Sequence, residues 1–200
     1  WINYAHMEGE EKVMVLENYL NDVDGGEGLD DLIAHGQNGI VVENDLTNAS
    51  VPSFSLQPFQ LDGDAVQVRA ADFDRDGILD LLVMGKGSIY WYSGELNSLS
   101  GDYKVSYVRK ADVESGVSPV SIEIGDFDGN GHDDFVASYA TNEIKWYSFD
   151  GGSNNFSSGH LVAGSEARSY ALQYLTVGDI NGDLQPDILG VIPETSRVVW

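Results

Sequence analysis

The sequence predicts an all-β fold built from four repeats, on three observations. A nine-residue acidic loop recurs, its first aspartate falling at 22, 72, 126 and 179, which spaces the copies by 50, 54 and 53 residues. A second marker keeps step with it: Ile89-Tyr90-Trp91-Tyr92-Ser93, Ile144-Lys145-Trp146-Tyr147-Ser148 and Val198-Val199-Trp200, with residues 39–43 in that slot of the first copy. Around these markers apolar residues alternate with a period of two, not 3.6, which is the pattern of strands.

Within one unit the strands follow in order. Val66, Val68 and Ala70 alternate with polar residues before the loop, as do Val120, Ile122 and Ile124 in the next copy, so each reads as a strand with one buried face. Residues 80–84 form a second strand, residues 85–87 a glycine turn, the stretch through Trp91 a third strand and residues 103–110 a fourth. Matching second strands follow the later loops at 135–139 and 188–192. Residues 10–20 carry Val13, Val15 and Tyr19 at alternate positions and read as strand. Four short strands per repeat make one propeller blade. The expected fold is therefore a β-propeller or partial propeller of about four blades, each a four-stranded antiparallel sheet with the acidic loop joining its first two strands.

One repeat domain is expected over residues 1–200, with units of approximately 1–43, 44–93, 94–148 and 149–200. An open arc of four blades leaves sheet faces and edges bare, which points to a segment of a larger propeller or to assembly with other chains. The chain opens on Trp1 without an initiator methionine or a signal-peptide pattern, as a mature product or a fragment does. Tryptophan at a fixed repeat position is expected to pack. Val23, Phe73, Phe127 and Ile180, at loop position 2, are expected to point between blades.

The loop itself carries the chemistry. Positions 1, 3, 5 and 9 are Asp72, Asp74, Asp76 and Asp80 in one copy, Asp126, Asp128, Asn130 and Asp134 in the next, and Asp179, Asn181, Asp183 and Asp187 in the last. The earliest copy has one extra residue and offers Asp22, Asp24, Glu27 and Asp31. The backbone carbonyl at position 7 (Ile78, His132 or Gln185) is a further oxygen donor. Two carboxylates about 4 Å apart repel by roughly 1 kcal/mol in water and about 4 kcal/mol at an effective dielectric of 20; a divalent cation reverses that sign. Calcium accepts six to eight oxygens at flexible angles, whereas magnesium demands rigid octahedral geometry. Zinc is disfavoured, because the chain has no cysteine and its histidines are scattered. Calcium is thus the expected cofactor, at three loops and at a fourth if the first copy binds. An EF-hand is excluded: position 12 would be Val83, Ala137 or Gly190, none of them a ligand, and strands rather than helices follow the loops. In the last copy Leu184 stands where Gly77 and Gly131 stand, and a positive φ there would strain a leucine.

The loop followed by an apolar strand and a Trp-Tyr strand resembles the FG-GAP/VCBS repeat family, closely over residues 72–92 and 126–147 and more loosely over 22–43 and 179–200. The resemblance implies a calcium-stabilised β-propeller like the integrin α-subunit head, with the acidic positions as metal ligands and no catalytic residue carried over.

Ten Lys plus Arg against 33 Asp plus Glu give a net charge of −23, which argues against nucleic acid and anionic membrane as partners. No apolar run of membrane-spanning length is present, so membrane insertion is not expected. Calcium loops of modest affinity, and the sequons at Asn48-Ala49-Ser50 and Asn155-Phe156-Ser157, point to an extracellular, secreted or cell-surface setting. The expected function is a non-catalytic module for adhesion, recognition of a glycan or extracellular protein, or assembly with copies of itself. The alternatives are part of a propeller-fold polysaccharide lyase, drawing on His35, His132, His160, Tyr139, Tyr170 and Arg168, and a structural unit of an extracellular filament or coat.

Overall fold

The computed structural model describes backbone and side chains at residues 61, 65–96, 105–162 and 172–200, and the backbone alone of the strands at 14–15, 32–35, 39–45, 53–59, 97–99 and 102–104. Among the described residues there is no α-helix; one 3-10 turn, Pro193–Thr195, is the exception to strand and loop. The chain forms antiparallel sheets in sequence order. The first holds β1 (Met14–Val15), β2 (Leu32–His35), β3 (Gly39–Asp45) and β4 (Ser53–Phe59). The second holds β5 (Ala65–Ala71), β6 (Asp80–Gly85), β7 (Ser88–Leu99) and β8 (Asp102–Ser115). The third holds β9 (Pro119–Gly125), β10 (Asp134–Tyr139), β11 (Ile144–Tyr147) and, after a separate two-stranded hairpin of β12 (Phe149–Asp150) and β13 (Asn155–Phe156), β14 (His160–Leu161). The fourth holds β15 (Gln173–Gly178), β16 (Asp187–Ile192) and β17 (Arg197–Val199).

The strand, loop, strand order expected from the repeat is present in the three later sheets. β5 ends and β6 begins on either side of residues 72–79, β9 and β10 flank 126–133, and β15 and β16 flank 179–186. β7 and β8 run longer than the sequence predicts, pairing from Ser88 with Ser115 to Leu99 with Asp102 as one extended hairpin.

The sheets stack through their first strands: β5 lies beside β9, and β9 beside β15. Every residue of β6 is buried, because its two faces serve two cores. Leu82 and Met84 join Phe73, Trp91, Phe135, Tyr147 and Phe149 between the second and third sheets. Leu81 and Val83 join Leu61, Val68, Ala70 and Tyr92 on the other face. Each such side chain contributes about 1.5–3 kcal/mol on burial. Phe156 sits edge-on at 5.0 Å to each of Phe73, Phe135 and Phe149, so the small hairpin plugs the gap between sheets with aromatic rings.

The expected one-sided burial of the first strands needs correction. Val66 is exposed, while Arg69 and Glu123, on the supposed solvent side, are buried. β5 and β9 are covered by the neighbouring sheets, whereas β15 keeps Tyr174 and Thr176 exposed, and the buried polar groups of β5 and β9 must find partners. Arg69 meets Glu123 across the sheets at 2.5 Å. The Gln67 amide donates to the Ile122 carbonyl at 3.1 Å and accepts from the Ile122 N–H at 2.9 Å. One repeat further on, Ser121 Oγ accepts from the Leu175 N–H at 3.1 Å. Gln67 and Ser121 stand five residues before their loops and hold the backbone of the following sheet.

Candidate metal-binding loops

The three described loops have one backbone conformation. Position 4 takes a positive φ in each (Arg75 61°, Gly129 71°, Gly182 83°), and so does position 6 (Gly77 89°, Gly131 89°, Leu184 68°). The strain expected at Leu184 is therefore present, with its side chain 86% exposed and gaining nothing from burial.

Two left-handed residues curl the loop so that its side chains turn inward and accept its own N–H groups. Asp72 Oδ2 accepts from Gly77 at 3.0 Å, Asp126 Oδ2 from Gly131 at 2.9 Å and Asp179 Oδ2 from Leu184 at 3.0 Å. Position 3 accepts from position 5 in every copy, Asp74 from Asp76, Asp128 from Asn130 and Asn181 from Asp183. Position 5 accepts from position 7, Asp76 from Ile78, Asn130 from His132 and Asp183 from Gln185. The N–H of each position-7 residue is thereby engaged.

Position 9 does a different job. Asp80 is fully buried at the head of β6 and accepts from the Phe73 N–H at 3.1 Å and the Gly94 N–H at 2.9 Å. Asp134 repeats this with Phe127 at 3.1 Å and Phe149 at 2.8 Å, and adds Trp146 Nε1 at 3.2 Å. Asp187 accepts from Ile180 at 2.9 Å. Asp80 and Asp134 thus tie the loop entrance to chain at or just past the third strand, while Asp187 bonds Ile180 and Asn181 of its own loop. Nothing in the nine-residue spacing separates it from the other acids; the signal was its place directly before an apolar strand.

The acids crowd. Asp72, Asp74 and Asp76 bring carboxylate oxygens within 4.8 Å of one another, and so do Asp126, Asp128 and Asp134, so each group can hold a metal ion. Among the described residues the loop at 179–187 forms no such trio. Burial pushes the Asp80 carboxyl up to about 7; the charge of Asp74 adds to the rise, and the Gly94 and Phe73 N–H groups work against it. Burial also raises Asp76, Asp133 and Asp134, with the Asp126 charge contributing at Asp133. Asp126 Oδ1 is buried without a hydrogen-bond partner. An orphaned carboxylate oxygen inside a ring of other oxygens is the donor set a hard divalent cation completes. Asp22, Asp24, Glu27, Asp31 and Val23 lie outside the described residues.

The position-2 side chains follow the stacking. Phe73 is fully buried against the third sheet, Phe127 packs with the Val136 cluster toward Val177 of the fourth, and Ile180 is 45% exposed. Of the tryptophans, Trp91 is packed edge-on to Phe149 at 5.3 Å, Trp146 binds Asp134, and Trp200 is exposed.

The residues weighed for lyase chemistry have separate partners. His132 Nδ1 donates to the Phe73 carbonyl at 2.8 Å, and His160 lies against Trp146. Tyr139, at the far end of β10 from the loop, has its hydroxyl 2.5 Å from that of Tyr147. Tyr147 in turn donates to Glu114 at 2.7 Å, and Lys145 bonds the same carboxylate at 3.2 Å. Burial raises both phenols, so the pair stays protonated and acts as a tie between the second and third sheets. Tyr170 and Arg168 lie outside the described residues, as does the side chain of His35.

Residues 126–190 match the FG-GAP-like repeat family. Among solved structures, the chain is similar to the crystal structure of BBS1N in complex with ARL6DN, soaked with lead, at 9% identity and a TM-score of 0.43, covering 93% of this chain and 64% of that one. The chain thus spans a little under two thirds of that protein's chain. No curated protein matches the chain by sequence.

Proposed function

We propose that this chain, which carries an FG-GAP-like repeat over residues 126–190, is an extracellular, calcium-stabilised β-propeller module that binds a glycan or another protein, or assembles with copies of itself, without catalysing a reaction. The observation that carries this reading is the recurrence of one loop, with one hydrogen-bond pattern, at the same strand connection of three successive sheets. A reaction centre is built once; a staple is built once per repeat.

The donor set fits calcium. Asp72, Asp74, Asp76 and Asp80 would hold one ion, Asp126, Asp128, Asn130 and Asp134 a second, and Asp179, Asn181, Asp183 and Asp187 a third. Carbonyls of Ile78, His132 and Gln185 are the further donors. Bound calcium would neutralise part of the net charge of −23 and give the orphaned Asp126 Oδ1 a partner. First strands lying side by side in successive sheets support the blade-by-blade architecture of a propeller. Sites of this kind fill at the calcium levels outside cells.

A glycan array probed in millimolar calcium and again in chelator tests the recognition role. Calcium-dependent binding to a defined class of glycan is expected; an array blank in both conditions, together with a monomeric chain and no captured extracellular protein, would remove recognition and assembly from the proposal.

A further inference from the structure

Two contacts join the acidic loop at 72–80 to the loop at 126–134. His132, at position 7 of the later loop, donates from Nδ1 to the carbonyl of Phe73, at position 2 of the earlier one, at 2.8 Å. The guanidinium of Arg75, at position 4 of the earlier loop, lies over Gly131, at position 6 of the later one: a Cβ added to Gly131 would come within 2.5 Å of Arg75 Nη2. Arg75 takes its left-handed φ of 61° without being glycine, where the other two described loops have glycine. That conformation carries a cost, and the reach onto the neighbouring loop offsets it.

The first contact continues into the earlier loop. Phe73 N–H donates to Asp80, and the Phe73 ring is held by Phe149 and Phe156 of the small hairpin that follows the third strand of the next repeat. Phe149 N–H in turn donates to Asp134 of the later loop, and the His132 ring leans on Phe149 at 5.7 Å. The Phe73 segment is therefore clamped from both loops at once.

We infer that the two loops bind calcium cooperatively, with His132 as the positioning residue that passes order from the loop at 126–134 to the loop at 72–80. The inference rests on the calcium reading above. An ion at 126–134 would fix the backbone at position 7, and with it the ring that holds Phe73 and presents its N–H to Asp80. The earlier loop then loses less freedom when it binds. Coupling of this kind is typically about 5- to 150-fold in affinity.

The test is a calcium titration of the whole chain followed by the Gly77 and Gly131 amide resonances, which report the two loops separately. Asp128→Ala disables the later loop and is expected to move the Gly77 midpoint to at least fivefold higher calcium. His132→Ala is expected to move it as well, and the double variant no further than Asp128→Ala alone. His132→Gln, which keeps a donor for Phe73, is expected to restore most of the wild-type midpoint and shows that a shift in His132→Ala is not a general loss of folding. A Gly77 midpoint within twofold of wild type in Asp128→Ala, or shifts that simply add in the double variant, would overturn the coupling while leaving calcium binding intact. Resonances that do not respond to calcium in the wild-type chain would overturn the calcium reading and the coupling with it.

Discussion

Asp134 accepts a hydrogen bond from the Phe149 N–H at 2.8 Å, and through it the last acid of a loop holds a strand fifteen residues further along the chain. Asp80 holds Gly94 in the same way. The acids of one loop therefore fall into two groups, those turned into the loop and one built into the sheet.

That division makes a mutational prediction. Asp128 accepts its bonds from Asn130 and Ser148 at the surface, so Asp128→Ala is expected to cost about 2 kcal/mol in calcium and roughly 1 kcal/mol or less in chelator. Asp134→Ala leaves the Phe127 and Phe149 N–H groups without their acceptor, at about 1–3 kcal/mol each, and is expected to destabilise in both conditions. Chemical denaturation of the two variants with and without calcium checks it. Equal losses for the two in chelator would contradict the division.

The pH dependence of the metal-free chain follows from Asp80. Its carboxyl titrates near 7 in the folded chain and near 3.8 when unfolded, so the folded state binds more protons in between. Stability without metal is therefore expected to fall as pH rises from about 4 to about 7. Calcium requires the carboxylate form, so the stabilisation it adds should grow over the same range. Denaturation midpoints across this range, for wild type and Asp80→Asn, check the sign; the variant should show the weaker dependence.

At Leu184 a φ of 68° on an 86% exposed side chain predicts that Leu184→Gly stabilises the chain. Relief of the left-handed conformation is worth about 1–2 kcal/mol, and the added freedom of the unfolded chain takes back about 0.4–1 kcal/mol. A net gain near 1 kcal/mol in thermal or chemical denaturation is expected.

Arg69→Ala takes the cation from Glu123 at a buried contact between sheets. A loss of about 3–5 kcal/mol is expected, against 1 kcal/mol or less for Lys110→Ala at its exposed pair with Glu95. Denaturation of both variants under the same conditions gives the comparison.

What could be read from the residues alone was local. Strand alternation, the glycines of the loop and the apolar residue after its last acid placed three loops between the right strands, because each signal lies within about ten residues of the turn it specifies. The strain at Leu184 followed from a single mismatch to Gly77 and Gly131. What was not legible joins residues a whole repeat apart. Gln67 with Ile122, Arg69 with Glu123 and His132 with Phe73 are pairings that exist only once sheets are stacked. The same stacking buried Arg69 where alternation predicts an exposed face, since a first strand covered on both sides has no solvent side. The double role of Asp80 and Asp134 was hidden for the same reason, as Gly94 and Phe149 reach them only across the sheet.

The most direct test of the calcium staple is the melting temperature of the intact chain at pH 7 in millimolar calcium and in excess EDTA. Each site held at ten times its dissociation constant adds about 1.4 kcal/mol. For a chain of this size that is roughly 3–6 °C per site. A melting temperature that falls by at least this much in EDTA and returns when calcium is restored is the predicted result; the same melting temperature in both solutions would contradict it.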